Sequence, residues 1–272
     1  QRHNFPLLGL SHAEAINADA AEYLHQMKHT DWLFLDPARR DANGGKVVAI
    51  ADCEPNVAEW EELLLEKADH IMVKLSPMLD ISLAIRTLKH VQEVHVVAVN
   101  NECKELLFIL AKNTHSIEEI KISATNLTAH GAENFTFTLQ EEEAAQASYI
   151  QQPSGYLYEP HAALIKAGAF CSISQRLHIQ KLHPNSHLYT SETLIQDFPG
   201  RTFIIDAYGG FGKKELKTLL SNVKQANLSV RNFPSSVAEL RKRLKLKDGG
   251  DTYLFATTLK DGEKVWIQCH KN

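Results

Sequence analysis

The segment DWLFLDPARRDANGG, residues 31–45, joins an apolar run to an abrupt stop. Residues 31–35 have the length and composition of a buried strand, and Asp36-Pro37 end it. Runs of this kind alternate with stretches of helical spacing and are predicted as strands: 31–35, 70–75 and 94–99. Fully apolar strands separated by helices predict an α/β fold with a parallel sheet covered on both faces.

The end of the strand at 31–35 is the first candidate for chemistry, because ligands of parallel sheets bind at the carboxyl ends of strands. Asp36 is placed there, and Pro37 fixes the backbone so that a carbonyl can point into the cleft. A carboxylate and a carbonyl together can accept both hydrogens of an exocyclic amine and orient its nitrogen lone pair. The alternative is an aspartate that caps a turn, with Arg39 and Arg40 in solvent.

Two further polar residues lie where predicted strands end. Asp19 follows a weak strand candidate at 13–17 and starts a helix with Ala20. It could accept a hydrogen bond from an adenine amine, or it could simply cap that helix. Lys74 lies at the exit of the strand at 70–75 and could place an ammonium near a phosphate or a target base. The alternative for this lysine is a side chain that reaches solvent.

The remaining secondary structure separates the chain into predicted domains. A helix is predicted over 102–112, followed by an antiparallel pair formed by 117–123 and 135–139. The polar stretch 141–155 is predicted to end the first domain, and the glycine-rich run at 208–212 is predicted to be a linker. The predicted domains are 1–150, 151–208 and 209–272.

Charge is distributed unevenly along the chain. The formal net charge is −4, but residues 209–272 hold 13 Lys and Arg against 6 Asp and Glu, which is +7 and leaves −11 for the rest. A basic terminal domain is typical of contact with a polyanion such as a nucleic-acid backbone, although it can also be a solvated face. The candidate contacts lie on and just after a predicted helix at 236–244: Arg241, Lys242, Arg243 and Lys245.

The composition excludes several classes of protein. With 44% hydrophobic and 23% charged residues among 272, the chain is globular rather than disordered. No apolar run approaches the roughly 20 residues that span a bilayer, so no membrane contact is predicted. The four separated cysteines form no CxxC pair, which predicts a reducing, cytoplasmic compartment. His178, His183 and His187 are predicted to form a polar loop rather than a metal site.

The sequence resembles a known family. The motifs AINADAAEYL (15–24) and DWLFLDPARR (31–40) are similar to the second half of a class I S-adenosylmethionine-dependent methyltransferase. The closer resemblance is to a bacterial group that carries ferredoxin-like and THUMP-like domains at the C-terminus. It covers essentially the whole chain and rests on the following strings: DPARRDANGGKV (36–47), DCEPN (52–56), VKLSPMLDI (73–81), GYLYEPHAALIKAGAF (155–170) and RNFPSSVAELRKRLKLKDGGDTYLFAT (231–257).

This resemblance implies a Rossmann-like methyltransferase core, incomplete at its N-terminus, followed by a ferredoxin-like α+β domain and a THUMP-like domain. It implies S-adenosylmethionine as cofactor and a base in structured RNA, tRNA or rRNA, as substrate. The implied catalytic residues are Asp36, Pro37 and Ala38. The implied cofactor contacts are Asp19, Ala20 and Asp36. The implied substrate contacts are Arg39, Arg40, Lys74, Arg241, Lys242, Arg243 and Lys245.

The sequence also departs from the family pattern. Ala38 and Arg39 replace the residues that amino-methylating relatives place after Asp-Pro, including an aromatic residue that stacks on the target base. The Asp-Pro-Ala-Arg string is also similar to the loop of uracil-C5 methyltransferases, which use a cysteine, but Cys53 is better explained as a buried structural residue. The family's glycine-rich loop does not precede Gln1, so a truncated enzyme is expected. The alternatives are a non-catalytic RNA-binding module and methylation of a small molecule or a protein.

Overall fold

The computed structural model describes residues 2–39, 50, 53–112, 116–221 and 223–272. The strands of the first part are β1 (Thr30–Leu35), β2 (Ala38–Arg39), β3 (Cys53–Glu54), β4 (Ala68–Leu75), β5 (Val91–Val99), β6 (Glu102–Ala111), β7 (Lys121–Thr128) and β8 (Gly131–Thr138). Its helices are α1 (Asn4–Leu7), α2 (Ala20–Gln26), α3 (Val57–Lys67), α4 (Ile81–Thr87) and α5 (Leu139–Ala144), with a 3₁₀ turn at Ile117–Glu119.

The described part of this region forms a mixed sheet in the order β1-β4-β6-β5-β7-β8. β1 is parallel to β4 and β5 is parallel to β7, but β6 is antiparallel to both of its neighbours. The three predicted strands β1, β4 and β5 run in the same direction, but β6 lies antiparallel between β4 and β5, so the sheet is mixed where a parallel sheet was predicted. The predicted pair after β6 is confirmed as the antiparallel hairpin of β7 and β8, which Gly131 begins with a positive φ of 133° at the turn.

Strand β6 occupies the residues predicted as a helix, so that prediction is also wrong. Asn100 and Asn101 have φ angles of 49° and 65° and form a tight two-residue connection between β5 and β6. Asparagine tolerates this left-handed conformation, and two such residues in succession match the turn of a β-hairpin. The apolar run at 106–111 is compatible with either a buried helix or a buried strand, and the hairpin turn decides between them.

Among the described residues, helices cover one face of the first sheet. The other face is exposed to solvent around β1. Alternate residues such as Val73, Val96 and Phe108 are fully buried with the helices on the packed face. On the opposite face, Trp32 and Phe34 remain 52% and 58% exposed. The prediction that both faces are covered does not hold for this part of the chain.

The second part of the chain forms another sheet. Its strands are β9 (Tyr156–Pro160), β10 (Gln180–Lys181), β11 (Tyr189–Ser191), β12 (Gly200–Gly210), β13 (Asn227–Arg231), β14 (Tyr253–Thr258) and β15 (Lys264–Lys271). Its helices are α6 (Ala162–Ala167), α7 (Ser172–Leu177), α8 (Lys213–Leu219) and α9 (Val237–Leu244). The described strands are ordered β10-β11-β9-β12-β15-β14-β13.

β12 is one strand through Gly210, so residues 208–210 are not the predicted linker. Their backbones pair with residues 265–267 of β15, and this pairing holds the glycine-rich run in the sheet. The domain limits at 150 and 208 stay predictions. The hairpin of β14 and β15 is confirmed, with Gly262 at its turn in the left-handed region.

Helix α6 connects the two sheets. It packs on the buried face of the first sheet, against β5, β6 and β7. The Ala162 backbone N–H donates to Asn101 Oδ1 at 2.7 Å, and Lys166 Nζ donates to the Leu79 carbonyl at 2.7 Å. Apolar residues of both parts, including Phe108 and Leu164, belong to one continuous buried cluster. The interface between the two parts is therefore a shared hydrophobic core.

Candidate active site

A small cavity lies where β1 and β4 end and β6 begins. Its volume is about 140 Å³. The residues that line it are Asp36, Pro37, Cys53, Lys74, Leu75, Ser76, Pro77, Leu79, Lys104 and Glu105. The structure thus brings three of the predicted site residues, Asp36, Pro37 and Lys74, to one strand edge.

Asp36 and Lys74 form an ion pair, with 2.7 Å between Lys74 Nζ and Asp36 Oδ2. The hydrogen bond to Asp36 raises the pKa of Lys74 above its usual value, and the negative charges of Asp36 and Glu105 act in the same direction against a lowering by desolvation. The ammonium predicted to face a phosphate is therefore engaged by Asp36. The other carboxylate oxygen, Asp36 Oδ1, has no hydrogen-bond partner within the described ranges, so it can accept a bond from a ligand.

The residues after Asp36 turn back over the strand end. Ala38 pairs with Glu54 in the short antiparallel ladder of β2 and β3, and Pro37 is buried beneath it. This ladder brings Cys53 into the cavity wall, where it is only 5% exposed. A buried position agrees with a structural cysteine. Arg40 lies outside the described residues, as does the side chain of Arg39.

A second cavity of about 420 Å³ adjoins the first and shares Cys53 with it. It lies between the start of α2 and the start of α3. The residues that line it are Asp19, Ala20, Ala21, Cys53, Glu54, Pro55, Asn56, Glu59 and Trp60. Asp19 and Ala20, the two predicted cofactor contacts that precede β1, therefore lie beside the cavity that contains Asp36.

Asp19 is the N-cap of α2, as one of its two predicted roles requires. Its Oδ1 accepts hydrogen bonds from the backbone N–H groups of Ala21 at 2.9 Å and Glu22 at 3.1 Å. No described residue bonds to Asp19 Oδ2 or to the Ala20 N–H. An acceptor and a donor therefore stand side by side at the cavity. This pair is complementary to the amine and the adjacent ring nitrogen of an adenine, so these residues fit the adenosyl part of S-adenosylmethionine.

Several residues of the two cavities are not predicted from the sequence, most clearly Lys104, Glu105 and Trp60. Lys104 and Glu105 fall in the predicted helix at 102–112, and only their position at the start of β6 brings them to the strand edge. Trp60 shares the apolar helix face of Leu63 and Leu64, so its spacing alone indicates a core residue. No sequence signal marks it as part of a cavity wall.

The predicted basic contacts belong to the second sheet and its helices. Arg241 is occupied by Asp248, at 2.6 Å from Arg241 Nη2, and is a poor candidate for binding a phosphate. The Arg243 guanidinium lies over the Phe211 ring, 5.1 Å from its centre. Lys242 and Lys245 are exposed. The structure therefore separates these four residues into an internal ion pair, a cation–π contact and two solvated lysines.

The described ranges contain no group of three or more His, Cys, Asp or Glu that could hold a metal ion. The three histidines of the predicted polar loop have different surroundings: His183 Nδ1 lies 2.9 Å from Asn232 Nδ2, His187 stacks on Phe170, and His178 ends α7 in the left-handed conformation. None of the helices in those ranges combines the length and apolar character needed to cross a bilayer.

Two family models match the part of the chain that forms the second sheet. A family model described as a ferredoxin-like domain matches residues 156–199, and one described as THUMP domain-like matches residues 200–271. A crystal structure of a "putative methyltransferase" from Porphyromonas gingivalis W83 is 45% identical, with a TM-score of 0.90 over 99% of this chain and 68% of that chain. The chain belongs to this methyltransferase family. None of the curated proteins matches it.

Membership of the methyltransferase family confirms the predicted fold class. The first sheet is the methyltransferase core, and the ferredoxin-like and THUMP-like regions follow it in the predicted order.

Proposed function

We propose that this methyltransferase transfers a methyl group from S-adenosylmethionine to a base in structured RNA, tRNA or rRNA, in the cytoplasm. The observation that carries the proposal is the pair of adjoining cavities. One presents the acceptor and donor of Asp19 and Ala20, and the other presents a carboxylate that Lys74 holds in place. A cofactor and an acceptor group bound in these cavities would meet near Cys53.

S-adenosylmethionine supplies a methyl group on a positively charged sulfur, which leaves without acid catalysis. The Asp19 carboxylate and the Ala20 N–H would bind its adenine. Asp36 Oδ1 would accept a hydrogen from the base amine, and the Pro37 carbonyl would accept the other. Lys74 keeps the Asp36 side chain oriented through its ion pair. The residues thus contribute mainly by positioning the nucleophile, and the amine proton would pass to water.

The RNA part of the proposal is supported by the THUMP-like region. Residues 200–271 hold 14 Lys and Arg and 7 Asp and Glu, a net charge of +7. Such a surface releases counterions from an RNA backbone on binding. Lys242, Arg243 and Lys245 are the exposed members of the predicted basic set. Arg39 and Arg40 are proposed to contact the RNA as well.

We expect Asp36→Asn to lower the rate of methyl transfer by about 100-fold, because misplacing a reacting group costs on this order. The assay follows labelled methyl groups from S-adenosylmethionine into unfractionated tRNA and rRNA, using the protein of the complete reading frame. Asp31→Asn is the matched control: Asp31 is exposed and lies on β1, which ends just before Asp36, and the rate should be unchanged. A parent rate in the Asp36→Asn protein would refute the catalytic role.

Asp19 requires two variants because it also caps α2. Asp19→Ser retains a capping oxygen but removes the second one, and Asp19→Ala removes both. We expect each to weaken binding of S-adenosylhomocysteine by about 10-fold, the value of one hydrogen bond to a charged group, with only Asp19→Ala destabilising the helix. Titration calorimetry measures the binding, and scanning calorimetry measures the stability, for this chain and for the product of the complete reading frame. If neither parent polypeptide binds, RNA binding without catalysis is the remaining function.

A further inference from the structure

A buried carboxylate with two arginines lies in the second sheet, away from the cavities described above. Glu159 on β9 is 2% exposed and is directly opposite Arg201 on β12. Arg201 Nε donates to Glu159 Oε2 at 2.8 Å, and Arg201 Nη2 contacts the same oxygen. Arg231, from the end of β13, places Nη2 2.6 Å from Glu159 Oε1. One negative charge is thus shared by two guanidinium groups.

The two arginines and Glu159 together carry a net charge of +1, which is more positive charge than is needed to neutralise the carboxylate. One guanidinium is sufficient to neutralise Glu159, and a second partly buried cation loses hydration without gaining a further anion. The side chains of Arg201 and Arg231 are 39% and 38% exposed, so both reach solvent. Arg201 Nη1 and Arg231 Nε have no hydrogen-bond partner among the residues that the structure describes. The cluster therefore offers fixed donors to an anion from outside.

His187 lies near both Arg231 and the buried Lys181, whose pKa is lowered by desolvation. Lys181 is 2% exposed and donates to the Pro184 carbonyl at 3.0 Å. Burial lowers the pKa of His187 to about 4, and the charges of Lys181 and Arg231 act in the same direction. His187 therefore stays neutral at pH 7 and does not repel these cations. The contact of Asn232 with His183 brings the loop containing these groups against the end of β13.

We propose that Arg201 and Arg231, held by Glu159, bind a phosphate of the RNA backbone at the junction of the ferredoxin-like and THUMP-like regions. The planar guanidinium fork suits phosphate oxygens. The buried carboxylate holds Arg201 by hydrogen bonds and Arg231 by an ion pair before the RNA arrives. The site rests on the proposed RNA function. It adds a contact outside the basic run at 241–247, so the RNA would cross the second sheet rather than touch α9 alone.

The test measures binding of labelled, unfractionated tRNA and rRNA to the full chain as a function of salt. Arg201→Gln and Arg231→Gln each leave Glu159 with one guanidinium, so both variants should fold. We expect each to raise the Kd about 3- to 10-fold near 0.1 M salt and to reduce the salt slope by about 1. Arg176→Gln removes the same charge from a 43% exposed arginine that pairs with Glu141, and it should change neither quantity.

Arg201→Lys keeps the positive charge but removes the planar guanidinium group. We expect its affinity for RNA to lie between those of the parent protein and the Arg201→Gln variant. If the parent protein binds RNA and the Arg201 and Arg231 variants behave like Arg176→Gln, the phosphate site is refuted while the proposed function stands. If the parent protein binds neither tRNA nor rRNA, the phosphate site and the proposed RNA function are both refuted. The unfolding temperature of each variant should equal that of the parent protein. A lost affinity then comes from the missing contact and not from a loss of folded protein.

Discussion

Gly200→Ala should lower the free energy of unfolding by about 3 kcal/mol or more, which is within the range of severe backbone strain. Gly200 begins β12 with a φ of 153°, a conformation that residues with a side chain rarely adopt. An added Cβ would lie 2.3 Å from the Glu159 carbonyl oxygen and 2.8 Å from the His161 nitrogen. Both are backbone atoms of the neighbouring strand end, so the ladder itself would have to move.

The matched control is Gly209→Ala in the same strand. Its nearest atom to an added Cβ is a side-chain carbon of Glu215 at 4.0 Å, an ordinary contact. Urea unfolding at pH 7 should show a loss of stability for Gly200→Ala and a change within about 0.5 kcal/mol for Gly209→Ala. Equal stabilities of the two variants would refute the close approach of β9 and β12 described here.

Glu142→Ala is the second large effect that we expect, a loss of about 3 kcal/mol of stability. The Glu142 carboxylate accepts four hydrogen bonds at the start of α7: from the backbone N–H groups of Phe170 (2.9 Å), Cys171 (2.7 Å) and Ser172 (2.8 Å), and from the Ser172 hydroxyl (2.6 Å). Alanine would leave these partly buried donors without an acceptor. The bonds also tie α5, next to the first sheet, to the ferredoxin-like region.

Two variants define this effect. Glu142→Gln keeps one acceptor oxygen without the charge and should lose about half as much stability. Glu143→Ala changes an exposed neighbour in the same helix and should have almost no effect. Thermal and urea unfolding measure the stability of all three variants. A Glu142→Ala protein as stable as Glu143→Ala would show that water replaces the carboxylate at little cost.

The positions of Asp36 and Asp19 in the fold could be predicted from local signals in the sequence. The apolar run of β1 ends at Asp36-Pro37, so the position of Asp36 at a strand edge follows from a few neighbouring residues. Asp19 before Ala20 is likewise a local capping pattern. Both predictions need only the alternation of buried strands and helices. The roles of Asp36 and Asp19 come from the family resemblance, not from these local signals.

The differences between prediction and structure concern β6 and contacts between distant segments. A helix is predicted for β6 because its apolar run fits both structures, and only the conformation of the Asn100-Asn101 turn favours a strand. Lys104 and Glu105 are therefore not predicted as site residues. The pairing of Arg241 with Asp248 could not be predicted, because nothing in the helix that contains Arg241 indicates it. The grouping of Glu159 with two arginines spans 72 residues of sequence and arises only in the folded sheet.

The apolar cluster that runs from the first sheet into the ferredoxin-like region has a consequence for how such a chain can evolve. Leu164 and Ile173 of that region belong to the same buried cluster as Val96 and Phe108 of the methyltransferase core. A core that lost the region would expose this surface to water and would become prone to aggregate. The two parts must therefore be inherited together. Exchange of modules is open only to parts of the chain that do not contribute to this cluster.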